Sequence, residues 1–242
     1  MDITVKEVSK SFGKRPALRD ISFSVDSGDI VCLIGPSGAG KSTLIRLLIG
    51  ALPADSGSIF MGDETVPSLS LLKKLGYMPQ NDALYDDLSG EDNLKFFGSL
   101  YKLPKETLLG RIDETLALTE LTEDRKKIVR NYSGGMKKRL SLAIALLQGP
   151  ETLLLDEPTV GIDPVLRRTI WNHFRELQKK GNTILVSTHV MDDVTECDKA
   201  ALIYGGELIY YDYVPKLLSK TESGRIEDLF FKAAADRQDK EV

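Results

Sequence analysis

The spacing of apolar residues changes along the chain, and each spacing predicts a different kind of element. Residues 2–8 and 21–26 alternate between apolar and polar positions, as strands of an antiparallel edge do. Residues 30–34 and 153–155 are continuous apolar runs, and residues 183–186 are nearly so. Short runs of this kind predict strands buried on both faces of a parallel sheet.

Between these strand-rich parts, roughly residues 84–135 show helical spacing and no strong strand pattern. From residue 153 onward, predicted strands and helices alternate, as a parallel sheet requires. Residues 200–204 and 207–211 flank a glycine pair and predict a hairpin. We therefore expect an α/β fold with a mainly parallel sheet, an antiparallel β edge and an inserted α-helical subdomain. Its expected parts are a core of residues 1–83 and 136–220, a helical subdomain of residues 84–135, and a tail of residues 221–242 containing one short amphipathic helix.

A glycine-rich segment, GPSGAGKS at residues 35–42, joins a predicted buried strand to a predicted helix. It has the form G-x-x-x-x-G-K-[ST], in which glycines let successive backbone N–H groups face phosphates at the positive end of a helix. Lys41 can reach the β- and γ-phosphates, and the Ser42 hydroxyl is placed to ligate magnesium. The segment predicts binding of a nucleoside triphosphate. The alternative is an ordinary glycine-rich turn between a strand and a helix.

A second candidate site is a pair of carboxylates, Asp156 and Glu157, that follows the apolar run at residues 153–155. The carboxyl ends of parallel strands are where open α/β sheets hold their ligands. Asp156 could support magnesium, and Glu157 could orient or deprotonate an attacking water. Solvated acids at a strand end are the alternative for this segment taken alone.

The segment Ser133-Gly134-Gly135 directly precedes a pattern of helical apolar positions. Ser133 is a natural N-cap, and two glycines permit close backbone approach, so this is a second anion-binding helix start. One ATP has only one γ-phosphate. Two such sites in one chain therefore predict that two chains meet head to tail, each completing the site of the other.

In this order, the motifs resemble those of the nucleotide-binding subunit of an ATP-binding cassette (ABC) transporter, over about residues 2–215. The resemblance implies a P-loop NTPase core of RecA-like fold that uses ATP and Mg²⁺. It places catalytic roles at Glu157, His189 and Gln80, and magnesium ligands at Ser42, Gln80 and Asp156. It places ATP contacts at Phe12, Gly35, Pro36, Ser37, Gly38, Ala39, Gly40, Lys41, Ser42 and Thr43, and contacts across the dimer at Ser133, Gly134, Gly135 and Asp163.

Some of these residues have plainer interpretations. Gln80 could be a solvated loop residue, His189 a structural histidine at a strand end, and Phe12 a core side chain rather than an adenine-stacking one. The family segment commonly written Leu-Ser-Gly-Gly-Gln has Tyr132 first and Met136 last here. Backbone groups and the serine hydroxyl would bind phosphate, so only contacts of a glutamine side chain are in question.

Composition narrows the class of protein. The 242 residues are 42% hydrophobic, which is enough for a large core, and the net charge is -4 with a pI near 5.4. No long basic run occurs, so we expect no nucleic-acid partner. We also expect no membrane-crossing segment and no signal peptide. The two cysteines lack metal spacing and are typical of a reducing cytosol. Together with the resemblance, this predicts a cytoplasmic protein held at the inner face of the membrane by its membrane partner.

The expected partners are separate transmembrane permease subunits and a second copy of the chain or a homologous cassette. Leu94, Phe97, Leu100 and Tyr101 recur at helical spacing. They could form local core, or part of a groove near Gln80 that grips a helix of a membrane subunit.

The sequence is similar to subunits of multidrug, antibiotic or polysaccharide exporters, which favours export over import. A soluble repair or ribosome-acting cassette would need long heptad insertions or two cassettes per chain. A kinase or small GTPase would leave Ser133-Gly134-Gly135 and His189 unexplained, and a regulator that only binds ATP would leave Glu157 unexplained.

Overall fold

The computed structural model describes residues 1–238. Its strands are β1 (Ile3–Phe12), β2 (Arg15–Val25), β3 (Ile30–Ile34), β4 (Ser56–Met61), β5 (Glu64–Thr65), β6 (Leu75–Met78), β7 (Thr152–Asp156), β8 (Thr183–Thr188), β9 (Lys199–Tyr204) and β10 (Glu207–Tyr213). Its α-helices are α1 (Lys41–Leu48), α2 (Gly90–Leu100), α3 (Lys105–Leu118), α4 (Gly134–Leu146), α5 (Pro164–Lys179), α6 (Met191–Val194), α7 (Val214–Leu218) and α8 (Glu227–Gln238). Short 3-10 helices lie at Leu71–Lys73 and Val129–Asn131.

The central sheet has the strand order β10-β9-β3-β8-β7-β6. Its strands run parallel except β10, which forms the expected hairpin with β9. Strands β3, β7 and β8 are buried along their whole length, as their continuous apolar runs predict. Ile34 pairs with Thr188, and Asp156 pairs with Ser187. The carboxyl ends of these three neighbouring strands therefore meet at one edge of the sheet.

The alternating segments near the N-terminus form a separate antiparallel sheet, with the order β2-β1-β4-β5, rather than an edge of the central sheet. Alternation buries only one face of each strand, so this sheet needs a second layer to cover that face. A hydrophobic cluster supplies it, since Val5 and Ile21 of this sheet share a core with Leu44 of α1 and with Leu33 and Leu185 of the central sheet.

Helices α2, α3 and α4 surround their own hydrophobic cluster, which includes Leu94, Ile112 and Leu140. Helix α4 also contributes Leu142 and Leu146 to the core beneath the central sheet. The expected boundary between residues 135 and 136 therefore falls in the first turn of a helix that packs on both bodies. The division of the chain into domains stays a prediction.

The predicted amphipathic helix of the tail is α8. Just before it, Ile226 is buried, and Leu229 in its first turn is buried as well, both against the core beneath the central sheet. Residues 239–242, the end of the expected tail, lie outside the described residues. Within residues 1–238, no helix is both long enough and apolar enough to cross a membrane.

Candidate functional site

The phosphate-loop segment leaves β3 and enters α1 through backbone positions that exclude larger residues. A Cβ at Gly35 would overlap the carbonyl oxygen of Ile203. Gly40 has φ 108°, and a Cβ there would lie 2.6 Å from the Leu18 side chain and 2.7 Å from the Ala17 carbonyl oxygen. Only glycine adopts this conformation without strain and permits the close approach.

The first turn of α1 is open to an anion. No side chain caps its N-terminus, and its first turn contains no acidic residue. By contrast, α2 is capped by Ser89 and carries Glu91 and Asp92 in its first turn. The free N–H groups at the start of α1, at the positive end of the helix dipole, therefore suit a phosphate.

Lys41 lies at this helix start and is 6% exposed. Its Nζ donates hydrogen bonds to the carbonyl oxygens of Gly35 at 2.6 Å and Pro36 at 3.2 Å. Burial lowers the pKa of the Lys41 ammonium, and the nearby Glu157 and Asp156 carboxylates partly oppose this. A cation held in a partly desolvated loop is favoured by an additional anionic partner such as a phosphate.

The carboxylate pair lies beside the loop, at the end of β7. Asp156 is 2% exposed, and its carboxylate accepts a hydrogen bond from the Ser187 hydroxyl. Glu157 has φ 55°, and its N–H donates to the carbonyl oxygen and hydroxyl of Ser187, each at 3.1 Å. A left-handed backbone is uncommon for a residue other than glycine and is often found at functional sites. Ser187 therefore contacts the side chain of Asp156 but the backbone of Glu157, which leaves the Glu157 carboxylate free of this contact.

His189 faces Glu157. Its Nδ1 lies 2.9 Å from Glu157 Oε1, and its side chain is 44% exposed, against 13% for Glu157. The next strand end therefore contributes an imidazole that is both hydrogen-bonded to the carboxylate and open to a ligand.

Gln80 follows β6 and places an amide oxygen beside the Ser42 hydroxyl. The Ser42 hydroxyl donates to Gln80 Oε1 at 3.3 Å. Hydroxyl, amide and carboxylate oxygens, here with Asp156, suit Mg²⁺, which uses few protein ligands when phosphates supply the rest. Among residues 1–238, no group of three or more His, Cys, Asp or Glu side chains could hold a metal. The residues present fit a magnesium ion that arrives with a nucleotide.

A cleft of about 510 Å³ lies along the phosphate loop and also contacts Gln80 and Glu157, whereas Asp156 and His189 are not among its lining residues. Phe12, at its end, is 52% exposed, so it is not a core side chain. The cleft is lined by Phe12, Arg15, Pro16, Ala17, residues 37–43, Gln80 and Glu157. Its volume is within the range of small-molecule sites. The lining at residues 15–17 was not predicted, because no motif marks this start of β2.

Ser133, Gly135 and Asp163 lie elsewhere, around a second cleft of about 280 Å³. Ser133 is the N-cap of α4, as predicted, and accepts from the Met136 N–H at 3.2 Å. Gly134 and Gly135 form the first turn, which has no acidic residue. Asp163 caps α5 by accepting from the N–H groups at 165 and 166, both at 3.1 Å. The chain thus separates the predicted site residues into two groups.

Tyr132 precedes Ser133 at the position where the common family segment has leucine. Its side chain is 6% exposed and lies between α4 and α2. Its hydroxyl donates to the Asp124 carbonyl oxygen at 2.9 Å, and a Cβ at Gly90 would overlap that hydroxyl. Met136 packs against the cluster of helices α2 to α4 rather than into the cleft alone. Both departures from the common pattern therefore support the helical subdomain.

Two residues near the strand ends were missed by sequence analysis. Ser187 bonds the Asp156 carboxylate and the Glu157 N–H, and Asp193 of α6 bonds Thr188 at the end of β8. Neither belongs to a motif. Strand pairing brings Ser187 beside Asp156, and the packing of α6 brings the Asp193 carboxylate to Thr159 and Thr188.

Comparison with known proteins agrees with this geometry. A family model described as ABC transporter matches residues 18–160. The linearmycin resistance ATP-binding protein LnrL of Bacillus subtilis is 38% identical over 86% of this chain and 68% of its own length. The Nod factor export ATP-binding protein I of Sinorhizobium fredii is 39% identical over 86% of this chain and 61% of its own length.

Other curated relatives are longer. The chain spans about a third of the length of ABC transporter G family member 20 of Dictyostelium discoideum, with 34% identity over 95% of this chain and 32% of that protein. A solved ATP-binding subunit of an ABC transporter superimposes with a TM-score of 0.86 at 26% identity, over 96% of this chain and 99% of that one. A bacterial ABC transporter cassette solved as a dimer superimposes with a TM-score of 0.81 at 25% identity, over 87% and 98% of the two chains. The chain belongs to the ABC transporter family, in which it is an ATP-binding ATPase cassette.

Proposed function

We propose that two copies of the chain bind two ATP molecules head to tail, each ATP lying between the phosphate loop of one copy and Ser133 of the other. The main support for this proposal is that the two clefts are separate. The first contains Lys41 and Glu157, and the second contains Ser133, Gly135 and Asp163. The second cleft, at about 280 Å³, is below the usual size of a small-molecule site. It suits one end of a ligand held mainly by another surface.

Within one copy, Lys41 and the first turn of α1 would bind the β- and γ-phosphates, and Phe12 would stack on the adenine. Magnesium, held by Ser42, Gln80 and Asp156, would neutralise charge between the phosphates. Glu157 would orient and deprotonate the attacking water, and its 2.9 Å contact with His189 Nδ1 fixes its carboxylate for this role. His189 would donate to the γ-phosphate.

Of the positions predicted at helical spacing, Leu94 and Phe97 belong to the local core of the helical subdomain. A membrane subunit would bind the exposed apolar surface formed by Tyr85, Phe96 and Leu100, which are 47%, 36% and 61% exposed. The Tyr85 and Phe96 rings are in edge contact, with centroids 4.6 Å apart. Buried Asn93 accepts a hydrogen bond from the Tyr85 N–H at 2.9 Å and donates one to the Tyr85 carbonyl oxygen at 3.1 Å. Such a rigid apolar surface suits a helix of a partner.

This surface is connected to the nucleotide cleft along the chain. Lys138 of α4 donates to the Gln80 carbonyl oxygen at 3.1 Å, and Lys137 pairs with Asp86 at 2.7 Å. The segment from Gln80 to Asp86 is thus fastened to the helix that Ser133 caps. Closure of two copies on ATP would move this segment and, with it, the bound membrane subunit. ATP would thereby favour one conformation of the membrane subunit over the other, because it binds the closed dimer more tightly than the open one.

The partners would be separate transmembrane subunits, with the chain at the inner face of the membrane. Export is the proposed direction, supported by the similarity to proteins named for linearmycin resistance and Nod factor export.

The test uses Glu157→Gln, which removes the base and keeps ATP bound. Light scattering after size exclusion should show a shift from monomer to dimer with ATP and magnesium. Adding Ser133→Ala should weaken the dimer. The matched control is Ser89→Ala, which removes the equivalent N-cap of α2, away from both clefts. Equal dimerisation of the two double variants would contradict the proposed role of Ser133.

Mixing variants gives a second test. Lys41→Ala and Ser133→Ala should each hydrolyse ATP poorly alone, because every site of a homodimer then has one defect. A mixed dimer has one intact site, so activity should return on mixing. Failure to recover activity would place both residues in the same site of one chain.

A further inference from the structure

Asp193 is a fully buried carboxylate that the proposed chemistry does not use. It lies on the short helix α6, four residues after His189. Oδ1 accepts hydrogen bonds from Arg167 Nε and Trp171 Nε1, each at 2.9 Å, and Arg167 Nη2 forms an ion pair with it at 2.7 Å. A buried charge of this kind is stable only when it is paired and fully hydrogen-bonded, as it is here.

The other oxygen, Oδ2, accepts from two hydroxyl groups near the catalytic residues. Thr159 Oγ1 lies 2.8 Å away, and Thr188 Oγ1 lies 2.9 Å away. Thr159 is two residues after Glu157, and Thr188 directly precedes His189. Both threonines are buried, so neither bond competes with bulk water. One carboxylate oxygen therefore holds together the two chain segments that carry the proposed base and its histidine.

The backbone and the side chain of His189 are held by different groups. Thr188 Oγ1 also accepts from the Val190 N–H at 2.9 Å, so the backbone is fixed on both sides of the histidine. The imidazole itself contacts only the Glu157 carboxylate among the hydrogen bonds described. The histidine position is thus set by its backbone, and its backbone is set by Thr188 and Asp193.

We propose that Asp193 is a positioning residue for ATP hydrolysis, which fixes His189 relative to Glu157 by binding Thr188 and Thr159 with one oxygen. The inference rests on the proposed function, in which Glu157 and His189 act on ATP. Asp193 is not among the residues that line the nucleotide cleft. Its substitution should therefore change turnover while ATP binding by the phosphate loop is kept.

The first experiment compares Asp193→Asn with Asp198→Asn. Asp198 is a matched control because it also accepts several hydrogen bonds, from the Ile30 N–H, Arg175 and Gln178, but lies at the opposite end of the central sheet. Asp193→Asn should lower kcat by roughly tenfold to a hundredfold, since misplacement of catalytic groups by about 1 Å costs this much. Its KM for ATP should stay within about twofold of wild type. Asp198→Asn should leave both constants near wild type.

The second measurement reports on the histidine directly. The chain has two histidines, so each imidazole resonance can be followed by NMR in histidine-labelled protein. The His189 resonance, assigned with His189→Gln, should move in Asp193→Asn and stay in Asp198→Asn. His173, whose side chain lies 3.9 Å from Glu176, is the internal reference. A general loss of stability would not shift the His189 resonance alone and leave the His173 resonance in place.

A gentler variant covers the case in which Asp193→Asn does not fold. Thr188→Val keeps the side-chain shape and removes one hydroxyl, and it should lower kcat severalfold, whereas Thr188→Ser should restore much of it. The inference is overturned if Asp193→Asn, or Thr188→Val in its place, has the kcat and His189 resonance of wild type. Full turnover in Glu157→Gln would instead overturn the proposed function, whatever Asp193 does.

Discussion

Glu91, in the first turn of α2, forms ion pairs with three basic side chains of the helical subdomain. Its side chain is only 8% exposed, and its carboxylate lies 2.6 Å from Lys95 Nζ, 2.7 Å from Arg125 Nε and 2.9 Å from Lys126 Nζ. The Glu91 N–H also donates to the Arg125 carbonyl oxygen at 2.9 Å. This cluster fastens α2 to the segment that leads to Tyr132 and Ser133. We predict that Glu91→Gln destabilises the fold in a pH-dependent manner.

The size of the expected loss in unfolding free energy follows from the pKa of the Glu91 carboxyl group. Hydrogen bonds from Lys95 and Lys126 lower the pKa of Glu91 from 4.5 to about 2, with burial acting in the opposite direction. At about 1.4 kcal/mol per pKa unit, the full shift corresponds to about 3 kcal/mol. Lys95 and Lys126 are 42% and 72% exposed, so water screens these pairs. After that discount we expect a loss of about 1–2 kcal/mol at neutral pH.

The pH dependence has a defined sign. Because the pKa is lower in the folded state than in the unfolded state, the stabilisation is fully present above pH 4.5 and is lost as pH falls toward about 2. The difference in unfolding free energy between wild type and Glu91→Gln should therefore shrink as the pH is lowered below 4.5.

The assay is urea unfolding at several pH values. Trp171 is the one tryptophan of the sequence and is 3% exposed, so its fluorescence reports on the core, and circular dichroism reports on the helices. The control is Glu123→Gln, an exposed glutamate nearby, which should change stability by less than about 0.5 kcal/mol. A Glu91→Gln loss equal to that of the control, or one that is constant with pH, would refute the reasoning.

Three further predictions concern the cleft and its supports. Lys41→Ala should weaken ATP binding by roughly tenfold to a hundredfold, since hydrogen bonds to charged groups contribute about 1.5–3 kcal/mol; unchanged affinity by calorimetry would contradict the phosphate-loop role. Gly35→Ala should also weaken ATP binding, because its Cβ would overlap the Ile203 carbonyl oxygen at a cost of about 1–3 kcal/mol; calorimetry showing normal affinity would mean that the loop relaxes freely. Tyr132→Phe should lower the free energy of unfolding by about 1 kcal/mol, because the Asp124 carbonyl oxygen loses its donor; urea unfolding identical to wild type would show that water replaces the hydroxyl.

The sequence alone determined the elements whose signals are local. Continuous apolar runs located β3, β7 and β8, and the glycine-lysine-serine spacing located the start of α1. Because parallel strands end at one edge, the sequence alone predicts that Asp156 and His189 lie beside the phosphate loop. The ABC family and its ATPase activity were recognisable from the order of these motifs, and the comparisons confirmed both. The individual site roles stay predictions.

Tertiary structure decided what depends on contacts distant in sequence. Alternation in β1 and β2 shows that one face is buried but not against what, so the separate antiparallel sheet was predicted only as an edge. Helix α4 has apolar residues on more than one face, and only packing shows that they serve two cores. Asp193 has no motif, and it becomes informative only when the fold surrounds its carboxylate with donors from Thr159, Arg167, Trp171 and Thr188. The physical reason is that spacing along a chain specifies local conformation and burial, whereas the partners of a buried polar group are set by which elements pack together.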